Sequence, residues 1–189
     1  MYASKTFVGH SLWLLPAQPA LDALQEVVME ISVKRHSPCF KPHCTLLAGL
    51  PESEEEVIRK TRDLALRVAA TPMTIDRVAT KQLYFQSVFA LIKAKDEAMN
   101  LHATAVEAFG VPEGGAPYMP HISLFYGDVD DKTRSAIKDD AQALLAARGM
   151  SLGSPESELS MDTIEVWNTE GPVEEWRRCA VVPLSRAAA

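Results

Sequence analysis

A histidine followed two positions later by a hydroxyl residue, and then by leucine, occurs twice in this chain. The first copy starts at His43 and contains Thr45, and the second starts at His121 and contains Ser123. Side chains i and i+2 of a β-strand lie on the same face, so each copy presents an imidazole beside a hydroxyl. Imidazoles exchange protons near neutral pH, and hydroxyls donate hydrogen bonds to phosphate oxygens. The pattern therefore predicts phosphate-ester chemistry.

Opening a cyclic phosphodiester with water needs a base that deprotonates water and an acid that protonates the leaving alkoxide. Each positioned acid or base contributes ~10²–10⁴-fold to the rate. We predict that His43 and His121 supply these two groups, and that Thr45 and Ser123 hold the non-bridging phosphate oxygens. Because the two roles require opposite protonation states, we expect the two imidazoles to differ in protonation during turnover.

A packed core histidine and a metal ligand are the two competing interpretations of each motif. Packing alone gives no reason to repeat an imidazole and a hydroxyl at the same spacing. A metal site needs further ligands, and the sequence has no His-x-x-x-His, His-x-Asp or Cys-x-x-Cys pattern. We therefore predict no metal and no cofactor. The residues predicted to be structural or exposed are Cys44, His10, His36 and His102.

The composition favours one domain and a small anionic ligand. The chain has 189 residues, 47% of them hydrophobic, and a formal net charge of −6. This length supplies one well-packed core, and we predict a single domain over residues 1–186 with a tail at 187–189. Proteins that bind long nucleic acids usually carry a basic stripe, which is missing from this sequence. We expect a small-molecule cyclic phosphate nucleotide as the partner, no long nucleic acid, and a monomer.

The sequence also favours a reducing, cytoplasmic environment. Its longest apolar stretches are far shorter than the ~20 residues that span a bilayer, so we expect no membrane association. Residues 1–9 lack the basic and apolar regions of a secretory signal. Of the three cysteines at least one is unpaired, and a disulfide from Cys179 to Cys39 or Cys44 remains open.

Hydrophobic periodicity predicts seven strands and four helices. The strands are predicted at 10–15, 42–49, 73–84, 87–93, 120–126, 158–167 and 176–184, and the helices at 21–33, 52–70, 96–109 and 132–148. Strand and helix do not alternate uniformly, which argues against a doubly wound parallel sheet. We predict a pseudo-symmetric α+β domain of two lobes, in which two antiparallel sheets flank a central cleft and the helices lie outside. The two motif strands would face each other across the cleft.

Four segments of the sequence resemble the 2H phosphoesterase superfamily, and in particular its cyclic phosphodiesterase branch of plants and yeast. They read FKPHCTL at 40–46, DRVAT at 76–80, YFQSVF at 84–89 and PYMPHISLFY at 117–126. The resemblance extends over nearly the whole chain, and it implies a bilobal fold with a water-filled cleft. Plant members carry more cysteines, so their disulfide arrangement does not transfer to this chain.

The resemblance also implies a reaction and its site. The implied enzyme hydrolyses ADP-ribose 1″,2″-cyclic phosphate to ADP-ribose 1″-phosphate, opens nucleoside 2′,3′-cyclic phosphates to 2′-phosphates, and recycles a by-product of tRNA splicing. By position, His121 would be the base that activates water and His43 the acid. The residues expected to contact substrate are Thr45, Ser123, Tyr126, Trp13 and Phe85.

Two further functions remain open at this point. The first is 2′,5′ ligation or end processing of longer RNA by a related 2H enzyme, for which a larger basic surface would be expected. The second is a nucleotide-binding module without turnover. A cyclic-phosphate-ended oligonucleotide tested against a mononucleotide would distinguish the first, and tight binding without hydrolysis would indicate the second.

Overall fold

The computed structural model describes residues 8–112 and 117–185. Its strands are β1 (His10–Pro16), β2 (Cys44–Leu50), β3 (Thr71–Thr80), β4 (Val88–Ile92), β5 (His121–Phe125), β6 (Glu158–Asn168) and β7 (Arg177–Pro183). Its α-helices are α1 (Ala20–Arg35), α2 (Glu54–Ala65), α3 (Asp96–Phe109) and α4 (Asp131–Ala147). Every predicted strand and helix is present. The predicted tail at 187–189 lies outside the described residues.

The strands form one antiparallel sheet in the order β1-β2-β5-β4-β3-β6-β7, and β1 also pairs with β6. The start of β6 pairs with β3, and the rest of β6 pairs with β7 on the same edge. One half of the molecule therefore contains β2, β1, β6 and β7, and the other contains β5, β4 and β3. Where two sheets were predicted, the described residues form one continuous sheet, whose halves meet at the β2–β5 and β3–β6 pairs. This confirms the predicted α+β antiparallel architecture.

The helix ends follow local signals in the sequence. The Ser53 side chain accepts a hydrogen bond from the backbone N–H of Glu56 and so caps the start of α2. Gly110 ends α3 with a φ of 65°, a conformation that costs glycine little. α2 ends earlier than the predicted residue 70, because the N–H of Ala70 instead donates to the carbonyl of Ser185. The chain after α2 is thus tied to the residues that follow β7.

Alternation along β1 separates the core from the cleft. Leu12 and Leu14 point into the hydrophobic core, whereas Ser11 and Trp13 line a cavity on the opposite face. The predicted strand at 73–84 ends at Thr80, because residues 84–86 form a short 3₁₀ turn that leads into β4. In the part of the chain that the structure describes, no helix has the length and apolarity to cross a membrane.

Candidate active site

The two His-x-hydroxyl motifs are related by a local two-fold axis. β2 and β5 pair at one position, where Cys44 lies opposite Ile122, and these are the equivalent middle residues of the two motifs. In an antiparallel pair a two-fold axis passes between directly opposed residues, so this pairing relates one motif to the other. Each histidine therefore lies on the same side as the hydroxyl residue of the other motif, so that His43 lies towards Ser123 and His121 towards Thr45.

A backbone carbonyl holds each histidine in the same orientation. Nδ1 of His43 lies 2.7 Å from the carbonyl oxygen of Lys41, and Nδ1 of His121 lies 2.8 Å from that of Met119. A carbonyl can only accept, so Nδ1 carries the hydrogen when either ring is neutral. Nε2 of each ring is then the atom that exchanges a proton, which is what an acid or a base requires.

Both histidines open onto one cavity of about 520 Å³, a volume within the usual range for small-molecule sites. The structure brings all seven predicted site residues to its wall. They are His43, His121, Thr45, Ser123, Tyr126, Trp13 and Phe85.

Burial lowers the pKa of both imidazoles. It lowers the pKa of His43 from 6.5 to about 3, against the opposing effect of the Lys41 carbonyl, and the nearby His121 and Lys41 charges lower it further. Burial also lowers the pKa of His121, and the charge of Lys81 adds to that effect. Both rings line the same cavity, and the charge of His121 lowers the pKa of His43, so the two rings can act on one ligand.

The aromatic support behind the two histidines differs. The Trp13 ring lies flat against His43, with centroids 3.5 Å apart and planes 2° from parallel, and Trp167 stacks on Trp13 at 4.2 Å. Phe89 meets His121 edge-on, with centroids 5.1 Å apart. Because its ring already stacks with two partners and is 2% exposed, Trp13 supports His43 more than it offers a surface to a nucleobase.

The two hydroxyls also differ in their partners. Ser123 Oγ donates to the carbonyl of Phe85 at 3.0 Å, and so anchors the 3₁₀ turn before β4. Thr45 is half-buried and its hydroxyl makes no hydrogen bond with the described residues 8–112 and 117–185, while its carbonyl accepts from Tyr118. Thr45 is therefore the hydroxyl that is ready to donate to a ligand.

Tyr126 reaches the cavity because β5 ends before it. Strand alternation from His121 would turn Tyr126 away from the cleft, but the strand stops at Phe125. The Tyr126 ring stacks on Phe40 with centroids 3.8 Å apart. Burial raises the pKa of its phenol well above the usual range, so it stays protonated.

Several residues line the cavity without having been predicted from the sequence. His102, which was predicted to be structural or exposed, stacks on Tyr118 with centroids 3.8 Å apart, and both line the wall. Lys81 and Trp176 line it as well. Tyr118 lies in the segment that carries the family resemblance, which was the one available signal. Cys44 is fully buried in the core, as predicted.

Comparison with known proteins decides the family. The family model described as "Cyclic phosphodiesterase-like protein" matches residues 8–184. The chain belongs to this family. It is a phosphodiesterase of the 2H phosphoesterase type, as the paired motifs had indicated.

Individual relatives agree with this assignment. The chain is 25% identical over 166 residues to the cyclic phosphodiesterase of Arabidopsis thaliana, covering 85% of this chain and 91% of that protein. Its fold is similar to that of LigT from E. coli in the apo form, with a TM-score of 0.59, 12% identity, and coverage of 96% and 99% of the two chains. LigT complexed with 3′-AMP gives a TM-score of 0.57 at 13% identity, covering 94% and 98%.

In this cyclic phosphodiesterase-like chain a buried carboxylate lies behind the first motif. Glu165 is 2% exposed and contacts Lys41 at 2.6 Å and Arg178 at 3.0 Å. It also accepts a hydrogen bond from the Trp167 indole at 2.8 Å. Glu165 thus fixes Trp167, which stacks on Trp13, which in turn stacks on His43. It also neutralises Lys41, whose charge would otherwise act on His43 more strongly.

Proposed function

We propose that this chain hydrolyses ADP-ribose 1″,2″-cyclic phosphate to ADP-ribose 1″-phosphate, and opens nucleoside 2′,3′-cyclic phosphates to 2′-phosphates. The observation that carries the proposal is the pair of two-fold-related histidines, each with Nδ1 held by a carbonyl and Nε2 left for proton exchange. The implied setting is cytoplasmic recycling of a by-product of tRNA splicing.

The chemistry needs one proton removed and one proton delivered. A water molecule loses a proton to one imidazole and forms a new bond to phosphorus. The bond from phosphorus to the 2″ oxygen breaks, and that oxygen takes a proton from the other imidazole. For a nucleoside 2′,3′-cyclic phosphate the bond to the 3′ oxygen breaks instead. The product is a phosphomonoester, and the two histidines end the cycle with their protonation states exchanged.

We assign the base to His43 and the acid to His121. With its pKa lowered to about 3 by burial, His43 is neutral at pH 7, and its Nε2 is free to accept a proton. His121 is less deeply buried and is the easier of the two to protonate. This reverses the assignment that the family resemblance implies, and the physical reason is the deeper burial of His43 against Trp13.

The remaining cavity residues are suited to an anionic nucleotide. The free hydroxyl of Thr45 would donate to a non-bridging phosphate oxygen, where negative charge builds up in the transition state. Lys81 is exposed at the wall of the cavity and would attract a diphosphate. LigT from E. coli, which shares the fold, has been crystallised in complex with 3′-AMP and with ATP.

The experiment that tests the proposal is turnover of both substrate classes in EDTA. Wild-type protein would be compared with His43→Ala and His121→Ala, with products resolved by ³¹P NMR. We expect metal-independent opening of both substrates, with ADP-ribose 1″-phosphate and nucleoside 2′-phosphate as products. Nucleoside 3′-phosphate as the product would contradict the assigned bond cleavage.

A cyclic-phosphate-ended oligonucleotide, added to this experiment as a third substrate, distinguishes two alternative functions. Turnover confined to a cyclic-phosphate-ended oligonucleotide would indicate RNA end processing or 2′,5′ ligation. Tight nucleotide binding without turnover of either substrate would indicate a binding module. A strict requirement for an added metal would overturn the two-histidine mechanism.

A further inference from the structure

A second cluster of reactive side chains lies on the face of the sheet opposite the cavity. His10 from β1, Glu54 from α2 and Cys179 from β7 place one nitrogen, one oxygen and one sulfur atom within 4.8 Å of one another. His10 has the same strand parity as Leu12, which points into the core, whereas Ser11 lines the cavity. The cluster is therefore separate from the phosphodiesterase site.

His10 is a buried imidazole that makes no hydrogen bond with the described residues. It is 8% exposed, and neither Nδ1 nor Nε2 has a hydrogen-bond partner among the described residues. Buried polar groups are almost always paired, because an unpaired one loses its hydration without compensation. The two active-site histidines each have a carbonyl partner. Neither ring nitrogen of His10 has a partner within residues 8–112 and 117–185, which favours a ligand at this position.

A β-bulge directs Cys179 towards the same point. Trp167 of β6 pairs with Arg178, and the next residue, Val166, pairs with Ala180, which leaves Cys179 as the extra residue on β7. Bulges commonly re-aim a side chain next to a functional site. The Cys179 side chain is half-buried, which leaves it accessible to an ion.

The Arg177 side chain lies over Glu54 and Cys179. It forms an ion pair with the Glu54 carboxylate, and its Nη1 lies 3.4 Å from Cys179 Sγ. Burial raises the pKa of the Cys179 thiol, and its hydrogen bond to Glu54 raises that pKa further. The side chain of Arg177 is 58% exposed, so it can swing into solvent without losing buried contacts.

We propose that His10, Glu54 and Cys179 bind a zinc ion through imidazole nitrogen, carboxylate oxygen and thiolate sulfur. Three protein ligands with a fourth position open to water is a common arrangement for zinc. A donor set of nitrogen, sulfur and oxygen suits zinc, whereas magnesium and calcium prefer oxygen alone. Zinc–ligand bonds of ~2.0–2.3 Å bring the donor atoms closer together than they lie here, and rotation of Glu54 and Cys179 would supply that movement.

Binding of the ion is balanced in protons and charge. The Cys179 thiol loses its proton to solvent and becomes a thiolate, and His10 binds as the neutral ring. One carboxylate and one thiolate neutralise the divalent ion, so the guanidinium of Arg177 is no longer needed and moves into solvent. The ion would connect the first strand, the second helix and the last strand of the described fold.

The first test measures zinc affinity directly. EDTA-stripped protein, kept reduced, would be titrated with zinc against a chromophoric chelator. We expect one zinc per chain in the wild type and in the control Cys39→Ser, which removes an exposed cysteine elsewhere. Cys179→Ser and His10→Gln should each weaken binding by at least ~10–100-fold, the loss that removal of an outer-shell partner alone causes.

Circular dichroism would establish that each variant remains folded. Equal zinc affinity in Cys179→Ser and wild type would overturn the proposal. So would zinc binding that is lost in His43→Ala and retained in His10→Gln, since the ion would then lie in the phosphodiesterase cavity.

The second test needs no variant and so does not depend on how the substitutions fold. Wild-type protein would be alkylated with and without zinc, and the modified cysteines identified by mass spectrometry. We expect zinc to protect Cys179 at least ~10-fold while leaving Cys39 reactive, and magnesium to protect neither. Unchanged labelling of Cys179 in saturating zinc would overturn the proposal. Because the cluster is separate from the cavity, phosphodiester turnover in EDTA does not bear on it.

Discussion

At His43 the imidazole lies flat against Trp13 and is almost fully enclosed, whereas at His121 the ring meets Phe89 edge-on and is half-buried. Both rings have the same link from Nδ1 to a backbone carbonyl. The hydroxyl residues differ in the same way, since Ser123 has a carbonyl partner and Thr45 does not. The comparison shows that the local two-fold axis gives both motifs the same orientation, whereas the neighbouring residues give them different burial and different partners. In the proposed mechanism, this difference assigns the two histidines to opposite roles.

Removing either imidazole should have the largest effect. His43→Ala and His121→Ala should each lower kcat by ~10²–10⁴-fold, because each removes one of the two proton-transfer groups. The double variant should lose far less than the product of the two effects, since the pair acts as a unit. Steady-state hydrolysis of a 2′,3′-cyclic mononucleotide measures this.

The matched control for these variants is His36→Asn. It removes an exposed histidine with a φ of 51° and keeps a residue that tolerates this conformation. Wild-type rates in either alanine variant would remove that histidine from the mechanism.

Replacing Thr45 and replacing Ser123 should have different effects on kcat and on the free energy of unfolding. Thr45→Val should lower kcat by ~10²–10³-fold, since it removes a free donor to the phosphate. Ser123→Ala should lower kcat less, and should reduce the free energy of unfolding by about 0.5–1.5 kcal/mol through loss of its bond to the Phe85 carbonyl. Kinetics and urea unfolding of both variants test this, and equal kinetic losses would show that Ser123 releases Phe85 to bind phosphate.

The imidazoles of His43 and His121 should gain their protons at different pH values. In the folded protein the pKa of His43 is about 3 and lies below its unfolded value of 6.5. The unfolded chain therefore binds the extra proton first, and the protein should lose stability as the pH falls from 6.5 towards 3. Above pH 6.5 this histidine should have no effect on the pH dependence of stability.

His43→Gln should flatten that part of the stability curve, as measured by urea unfolding at several pH values. NMR titration of the wild-type imidazole nitrogens should show His121 gaining its proton before His43 as the pH falls. The reverse order would restore the assignment in which His43 is the acid.

The smallest expected effect concerns the lysines beside the two motifs. Lys41 is paired with Glu165, whereas Lys81 makes no ion pair within the described part of the chain. Lys81→Met should raise KM for ADP-ribose 1″,2″-cyclic phosphate about 3- to 10-fold and change KM for a cyclic mononucleotide less, because only the former carries a diphosphate. Lys132→Met, which removes an exposed lysine outside the cavity wall, is the control. An equal rise for both substrates would place Lys81 at the reacting phosphate.

The sequence was most informative where a signal was local. The spacing of His43 and Thr45, and the N-cap at Ser53, both depend on neighbours within a few residues. The stacking of Trp13 on His43 depends on pairing between β1 and β2, which places Trp13 opposite Thr45. Such contacts between distant segments produce no periodic pattern in the amino-acid sequence.

The same limit applies away from the motifs. Lys81 had no motif to mark it, because exposed lysines are common and its position depends on how β3 leads into β4. The cluster at His10 was invisible for a similar reason, since its three side chains come from the two ends of the fold and from a helix between them. The β6–β7 bulge that turns Cys179 towards them is a tertiary irregularity.

The seventh strand has an outer edge that pairs with no other strand among the described residues. Six strands close on one another through the β1–β6 pair, so β7 ends the sheet and its outer edge is the place where a foreign strand could add. Arg177 and Arg178 begin this strand and Pro183 ends it, and charged residues and proline both discourage edge-to-edge pairing. Exposed Val181 lies between them. Aggregation of the folded protein should therefore begin at β7, and replacing Arg177, Arg178 or Pro183 would promote it.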